Sequence, residues 1–280
     1  MKKIALAIVA VAAFTAPALA ADMAARPYAK AAPMPVQAVA SWTGLWISGG
    51  FGYGLAQYQH SEYNIAAPFA QVSTGQDAGG KGWLGKVGIG GDYQFAGPMG
   101  SWVVGVFADA DWSNISGQYS FNTSGVPGAL IGASNLTGQF RNDHSWAVGG
   151  RLGYVALPGL LTYFNGGYTQ AHFEGNSFFN TNAPAAPLLT SIALGSHTRS
   201  GYFLGGGTEY AVSQFPGLFW KNEVRFSEFG NRTHTLVCSA PAAGCGLGSV
   251  LTQTSRVYEQ KATTELVYRF NWGGSVVAKY

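Results

Sequence analysis

Charged residues are scarce in this chain, and long apolar runs are absent after its first twenty residues. Only 10% of the 280 residues are Asp, Glu, Lys or Arg, whereas a typical soluble domain carries about 25%. The net charge is +3 and the basic residues form no cluster, so we expect no nucleic-acid partner. No later run approaches the roughly 20 apolar residues that a transmembrane helix needs.

Cysteine is also rare, with two residues in the whole chain. Cys238 and Cys245 lie close together in one loop-like segment, and in an exported chain we expect them to form a disulfide that closes a small loop. They lack Cys-x-x-Cys spacing. We therefore expect no zinc site at these cysteines and predict no other metal site.

The amino terminus has the three parts of a secretory signal peptide. Lys2 and Lys3 precede an apolar run over residues 4–14, Pro17 interrupts it, and small residues lead to a predicted cleavage after Ala20. The apolar run is too short to span a bilayer as a helix. Residues 21–41 are rich in Ala and Pro and lack periodicity, which indicates a flexible periplasmic leader.

The remaining chain is apolar, aromatic and rich in glycine, with 47% hydrophobic residues, 14% aromatic residues and 40 Gly. A chain that crosses lipid without helices must close its strands into a barrel, because only a closed barrel pairs every backbone group. Eight segments alternate with period two, as half-buried strands do. In the fifth of them the two faces are ambiguous. The segments are 45–55, 83–95, 102–112, 146–154, 161–174, 202–212, 220–226 and 261–272.

Long and short connections alternate strictly between these segments, as in an up-and-down barrel with short periplasmic turns and long extracellular loops. The sequence therefore predicts an all-β, eight-stranded antiparallel up-and-down transmembrane β-barrel over residues 42–272, followed by a tail over 273–280. The four long extracellular loops are predicted at 58–78, 114–143, 175–198 and 230–255, and the short turns at 96–100, 158–159 and 214–217.

Aromatic residues near the ends of the segments favour a membrane barrel, because interfacial girdles lie there. The alternative is a secreted soluble barrel of the lipocalin type, which Gly44-Leu45-Trp46 weakly matches as G-x-W. Such a barrel would turn the glycine-rich face outward and force large aromatics into a narrow lumen. The girdle candidates are Trp83, Trp102, Trp112, Trp146, Tyr154, Trp220 and Trp272.

Both ends of the predicted mature chain resemble one family. Residues 21–33 (ADMAARPYAKAAP) precede WTGLW at 42–46, and YRFNWGG at 268–274 precedes the terminal VVAKY. These motifs are similar to the small outer-membrane β-barrel proteins of alphaproteobacteria, a porin-like, opacity-type family. The resemblance implies an eight-stranded barrel that the barrel-assembly machinery recognises through a C-terminal aromatic signal, either Tyr268/Phe270 or Tyr280. It also implies that haem is a ligand of some members.

Charged residues in the segments fall on the face opposite the large apolar residues, so we expect them in the lumen. Six acids and six bases balance there, and unpaired buried charge is costly. This balance favours a lumen filled by salt bridges, and a small polar pore is the alternative. The predicted lumen charges are Lys86, Arg151, Lys221, Arg225, Lys261, Arg269, Asp92, Asp109, Asp111, Glu209, Glu223 and Glu265.

Catalysis is not expected. Asp109 and Asp111 share a face as an acid/base pair would, but such pairs are ordinary on a lumen face. Ser145 is merely adjacent to His144, and neighbouring strand residues face opposite ways. The five histidines are predicted in extracellular loops or at outer strand ends, where they are candidate ligands for haem. They are His60, His144, His172, His197 and His234.

Two kinds of function remain compatible with the sequence. The favoured one is an outer-membrane anchor with a structural role in envelope integrity and a surface-interaction role for its extracellular loops. The alternative is a narrow porin-like channel or a haem-binding protein. The expected partners are outer-membrane lipid, lipopolysaccharide and the barrel-assembly machinery, and a monomer is favoured.

Overall fold

The structure is a computed structural model, which describes residues 40–64, 71, 73, 76–122, 135–181, 188–238 and 248–270. The predicted signal peptide, most of the leader, the tail, Trp272 and Cys245 lie outside the described residues. Within the described part of the chain, no helix is long and apolar enough to cross a membrane.

Ten antiparallel strands make up the described chain. They are β1 (Gly44–Asn64), β2 (Gln76–Gly97), β3 (Gly100–Asn122), β4 (Asn135–Leu157), β5 (Leu160–Phe173), β6 (Asn176–Asn180), β7 (Leu188–Leu194), β8 (His197–Ala211), β9 (Leu218–Cys238) and β10 (Gly248–Phe270).

Eight of these strands form a closed ring. The order is β1-β2-β3-β4-β5-β8-β9-β10, and β10 pairs with β1 to complete it. Leu45, at the start of β1, lies opposite Phe270, at the end of β10. The eight-stranded up-and-down barrel predicted from the sequence is therefore confirmed. Closure leaves no open edge among the ring strands, which is the condition for a sheet to lie in lipid.

The alternation of connections is also confirmed, because short turns join the strands at one end and longer connections join them at the other. The turns at Pro98-Met99 and Pro158-Gly159 link consecutive strands. Met99, with φ of 65°, takes the left-handed conformation that a non-glycine residue rarely adopts.

The predicted boundaries of the long loops are wrong, because the strands continue well beyond them. β3 runs to Asn122 although a loop was predicted from residue 114, and β9 runs to Cys238 although a loop was predicted from residue 230. The predicted loop 175–198 contains the hairpin β6–β7, which pairs with β4 through Asn180 and with β9 through Ile192. These segments were predicted as loops because they are rich in polar residues, but the polar residues lie on the outer face of strands whose inner face is apolar.

Candidate functional site

The outer face of the barrel is apolar in one belt. On β3 this belt extends from Trp102 to Trp112 and includes Val104 and Val106, which point outward. Eleven residues match the length of a transmembrane β-strand, about 9–11 residues. Further members of the belt on other strands are Leu45, Ile47, Phe51, Val87, Ile89, Val148, Leu152, Leu204, Val224, Phe226 and Leu266.

Aromatic side chains lie at both margins of this belt. Trp83, Trp112 and Trp146 face outward at its upper margin, on the side of the long connections. Trp102 and Tyr154, whose ring centroids are 5.4 Å apart, lie at the lower margin beside the short turns. Such girdles mark the two membrane–water interfaces.

A ring of four alternating charges crosses the lower lumen. Arg151 bridges Asp92 and Glu209: its Nε lies 2.8 Å from Asp92 Oδ1 and its Nη1 lies 3.0 Å from Glu209 Oε2. Arg269 bridges the same two acids from the opposite side, at 2.5 Å from Asp92 Oδ2 and 2.6 Å from Glu209 Oε1. The four residues come from β2, β4, β8 and β10, which are alternate strands of the barrel. The ring therefore reaches across the whole lumen.

A second group of buried charges lies above this ring. Lys86 Nζ is within salt-bridge distance of Glu223 (3.0 Å), Glu265 (3.3 Å) and Asp109 (3.5 Å). Arg225 joins Asp109 to Glu223 at 2.7 and 2.9 Å. Each base touches at least two acids, so this group is a network rather than a set of separate pairs.

Two further lysines extend the network to both sides. Lys221 Nζ lies 2.7 Å from Glu265 Oε2, and Lys261 Nζ lies 3.0 Å from Asp111 Oδ1. All twelve charges that the sequence places in the lumen are thus buried on the inner face. A cavity between Lys86, Asp111, Glu223, Arg225 and Lys261 measures about 10 Å³, which is room for about one water molecule.

Aromatic rings and glycines complete the packing of this region. The guanidinium of Arg225 lies 4.1 Å from the ring centroid of Phe203, and that of Arg151 lies 4.9 Å from the ring of Trp46. A Cβ on Gly105 would collide with Asp92 Oδ1 and would lie 2.8 Å from the backbone oxygen of Gly91. Glycine is therefore required where Asp92 crosses the lumen, which accounts for part of the glycine on this face.

Above the girdle the polarity of the two faces reverses. On β3 the inward residues change from Asp109 and Asp111 to Ile115, Tyr119 and Phe121, all buried. The outward residues become polar over the same length. The inward residues of the other strands join them in one apolar core, whose large members include Tyr58, Leu136, Phe140, Phe173, Phe178, Ile192, Phe229, Leu236, Leu251 and Val257.

This upper core encloses polar residues that were not predicted from the sequence. Glu62 is fully buried and accepts hydrogen bonds from Gln253 Nε2 at 2.8 Å and from Ser73 Oγ. Arg199 is fully buried and donates to the carbonyl oxygen of Ser255 at 3.0 Å. Glu259 is buried between the two halves and lies 3.3 Å from Lys261. Residues 62, 199 and 259 belong to the same alternating faces as the predicted lumen charges, and extending each strand would have identified them.

All five histidines lie on strands, at the upper girdle or above it. The loop part of the prediction is therefore wrong, whereas the predicted position on the extracellular side agrees with the structure. His60 lies on β1 inside the barrel, with Nδ1 2.8 Å from Glu62 Oε1. His197 on β8 is 4.0 Å from His234 on β9 between ring centroids. His197 Nε2 accepts a hydrogen bond from Arg199 Nε at 3.1 Å. Burial, opposed by a hydrogen bond to a backbone carbonyl, lowers the pKa of His197 to about 4.

The remaining two histidines form an outward-facing cluster with Asp143. His144 on β4 and His172 on β5 are directly opposite in the register and stack with centroids 4.8 Å apart. Asp143 lies 3.1 Å from His144 Nδ1 and 2.7 Å from His172 Nδ1. Although partial burial raises it, the hydrogen bonds from these imidazoles hold the pKa of Asp143 below its usual value.

The structure brings no nucleophilic triad together at Ser145. Ser145 points into the lumen and donates a hydrogen bond to Asp111 Oδ2 at 2.6 Å, whereas His144 points outward. Asp111 is already paired with Lys261, and Asp109 with Arg225. These groups act as members of the salt-bridge network. The predicted disulfide cannot be placed, because Cys245 lies outside the described residues.

No protein-family model and no curated protein matches the chain. Among solved structures, it is similar to the outer membrane protein OprG from Pseudomonas aeruginosa, at 14% identity and a TM-score of 0.44 over 82% of this chain and 99% of that one. It is also similar to Neisserial surface protein A, at 9% identity and a TM-score of 0.33 over 80% and 99% of the two chains. A third is the attachment invasion locus protein Ail of Yersinia pestis, at 10% identity and a TM-score of 0.26 over 78% and 98%.

Four features of the barrel itself indicate that it lies in a membrane. A closed ring of strands satisfies the backbone, an apolar belt faces outward, aromatic girdles border the belt, and the charges are inside. This combination is found in outer-membrane barrels and would leave an apolar surface exposed in a soluble one. The protein is an outer-membrane β-barrel.

Proposed function

We propose that this protein is a non-conducting outer-membrane anchor that carries a rigid β-structured extension above the cell surface. The observation that supports it is the filling of the lumen over both halves. The ring of Asp92, Arg151, Glu209 and Arg269 occupies the membrane half, and the apolar core around Tyr119 occupies the extracellular half. An ion would have to displace both.

The extension is the part that meets the outside. The ring strands reach 21–23 residues in six of eight cases, about twice the length that a membrane needs. The hairpin β6–β7 packs on the extension through Phe178, which contacts Tyr119 and Phe121. A packed extension holds the outer ends of its strands in fixed positions above the membrane, as a surface-interaction protein requires.

Lipopolysaccharide is the partner we propose for the rim of the barrel. Lys81, Arg141, Arg232 and Arg256 are on the strands beyond the aromatic girdle, and the first three are exposed. Basic side chains at this height favour anionic headgroups. The barrel-assembly machinery is proposed as the partner during insertion, through the apolar outward residues at the end of β10, including Phe270.

Conductance measurement tests the anchor directly. Purified protein is refolded and inserted into planar bilayers, with a general porin in the same bilayers as the positive control. We expect no stable single-channel steps from this protein. Reproducible steps in the unmodified protein would contradict the proposal and support the narrow channel instead.

A second experiment tests the surface role. Phe173 and His197 are opposite each other in the β5–β8 pairing, so a short Asn-Gly turn can replace residues 174–196 without breaking the barrel. A deletion strain is complemented with either the full chain or this shortened chain, and detergent sensitivity and surface attachment are measured. We expect the shortened barrel to restore envelope integrity and not attachment.

A further inference from the structure

The cluster of Asp143, His144 and His172 has no role in filling the barrel. It points away from the lumen, beside Trp146 at the upper girdle, and none of its contacts belongs to the buried charge network. Its side chains are partly exposed, with 51% exposure for His144, 28% for His172 and 27% for Asp143. Because His144 is opposite Trp112 in the upper girdle, the cluster lies at the membrane–water interface, where ions from solution can reach it.

A β-bulge creates this arrangement. In the β4–β5 pairing, Asn142 is opposite Phe173 and His144 is opposite His172. Asp143 is therefore an extra residue with no residue opposite it on β5. In a regular strand Asp143 and His144 would face opposite sides of the sheet. Bulges re-aim side chains in this way and are frequent beside functional sites. Here the bulge places a carboxylate and an imidazole of the same strand on the outer face.

We propose that Asp143, His144 and His172 form a surface site for a divalent transition-metal ion of the zinc type. The cluster offers two imidazole nitrogens and one carboxylate oxygen, all within 4.8 Å of one another. Ligands of a tetrahedral ion with bonds of about 2.0–2.1 Å lie roughly 3.3 Å apart. Asp143 lies 3.1 and 2.7 Å from the two Nδ1 atoms, so side-chain rotations that bring all three donor atoms to this spacing would let them accept an ion.

The ligand set decides between classes of metal. Imidazole favours zinc, copper and nickel, whereas calcium and magnesium prefer oxygen ligands alone. Three protein ligands on an exposed surface leave the fourth position to water or to a group from outside. The net charge of the site with neutral imidazoles is −1, which favours a dication over a monovalent ion.

The pair His197 and His234 serves as an internal comparison, because the nitrogen atoms of His197 are not available to a metal ion in the same way. His197 donates Nδ1–H to the carbonyl oxygen of Gly195, at an N–O distance of 3.2 Å, and its Nε2 accepts from Arg199. Both of its nitrogens are occupied, and Arg199 would repel a cation. We therefore expect the metal to bind at Asp143, His144 and His172 and not at His197 and His234.

The test uses the full mature chain without a histidine tag, refolded in detergent. Binding of Zn²⁺ alone is measured by isothermal titration calorimetry, and Cu²⁺ is added separately to count nitrogen ligands by electron paramagnetic resonance. We expect one ion per chain. His144→Ala, His172→Ala and Asp143→Asn should each lower the affinity by at least about 10-fold, and the copper spectrum should lose one nitrogen in each histidine variant.

His234→Ala is the matched control and should bind Zn²⁺ as the unmodified protein does. Far-UV circular dichroism and heat-modifiable migration in electrophoresis establish that every variant is folded, which is expected because the three residues are partly exposed. The inference is overturned by a lack of saturable Zn²⁺ binding up to roughly 1 mM. It is equally overturned if all three variants keep the affinity of the unmodified protein, or if His234→Ala loses it.

Discussion

Arg151 on β4 and Glu209 on β8 meet inside the lumen at 3.0 Å, above the strand β5 that separates them in the sheet. They are 58 residues apart in the chain and belong to strands that are not neighbours in the sheet. Contacts of this kind tie together strands that are two places apart around the barrel, in addition to the ladder of hydrogen bonds between adjacent strands. Both side chains are almost completely excluded from solvent.

Replacing Glu209 by Gln should strongly destabilise the barrel. Arg151 and Arg269 would then share Asp92 alone, and removing one partner of a buried ion pair costs about 3–5 kcal/mol. Urea unfolding in lipid vesicles, followed by tryptophan fluorescence, measures the change. Glu174→Gln, which removes an exposed pair with Arg141, should change stability by less than about 1 kcal/mol.

The double variant Arg151→Gln/Glu209→Gln separates charge imbalance from lost packing. It leaves Asp92 and Arg269 as one balanced pair, 2.5 Å apart. We expect it to be more stable than Glu209→Gln, because no uncompensated charge remains. Equal or lower stability of the double variant would show that the ring does not act through charge balance.

Replacing Val106 by Lys tests the position of the membrane belt. Val106 is 70% exposed on the outer face of β3 and lies near the middle of the belt between Trp102 and Trp112. A lysine at the bilayer midplane should cost about 2–4 kcal/mol in the free energy of unfolding from lipid. Gln118→Lys, on the same face above the girdle, should be nearly neutral. Similar costs for the two variants would place the belt elsewhere.

Much of the barrel could be predicted from the alternation of residue types. On β3 the even-numbered residues Val104, Val106 and Trp112 are apolar and outward, so the odd-numbered Asp109 and Asp111 had to face inward. The same reasoning failed above the girdle, where Tyr119 and other odd-numbered residues are the apolar ones. The outer face meets lipid below the girdle and water above it, so the apolar residues move from the outer to the inner face at that height. A prediction that expects the same face to stay apolar therefore ends each strand at the girdle.

The candidate site was predictable only in part, because it depends on register. Opposite charges in the lumen could be expected to pair, but the sequence does not show that Arg151 reaches Glu209 rather than another acid. His144 and His172 are neighbours only through the β4–β5 pairing. The bulge at Asp143 has no glycine or proline signal in the chain. Such local irregularities depend on the contacts of the whole sheet.

Truncating Phe178 should loosen the hairpin β6–β7 and leave the barrel intact. Its fully buried ring lies 5.7 Å from Tyr119 and 5.5 Å from Phe121 between centroids, and it fills the space above Gly138. Phe178→Ala removes these contacts, so residues 174–196 should open locally and be cleaved faster by proteinase K. Phe179→Ala, an exposed neighbour, is the control and should keep its resistance. Faster cleavage of both would indicate a hairpin that does not depend on this core.

Acidification should loosen the outer ends of β8 and β9. His197 stacks on Phe173 from β5 and is faced by Arg199 from its own strand and His234 from β9. Burial is the largest cause of its lowered pKa, about 4, and the charge of the outward-facing His172 contributes least. The pKa of His234 is lowered as well, by burial and by the charges of Arg199 and Arg232. Groups whose pKa falls on folding bind protons more weakly in the folded state.

The sign of the effect follows from this difference. Above pH ~6.5 His197 is neutral in both the folded and the unfolded state, so it causes no loss of stability. As the pH falls toward 4, the unfolded state binds a proton at His197 more readily than the folded state does, and the free energy of unfolding decreases. Hydrogen exchange of residues 197–200 and 232–238 should therefore lose protection between pH 7 and pH 5, after correction for intrinsic rates. The variant His197→Asn cannot titrate and should lose much less protection. A measured pKa near 6.5 for His197, or equal losses in both proteins, would exclude this histidine as the cause.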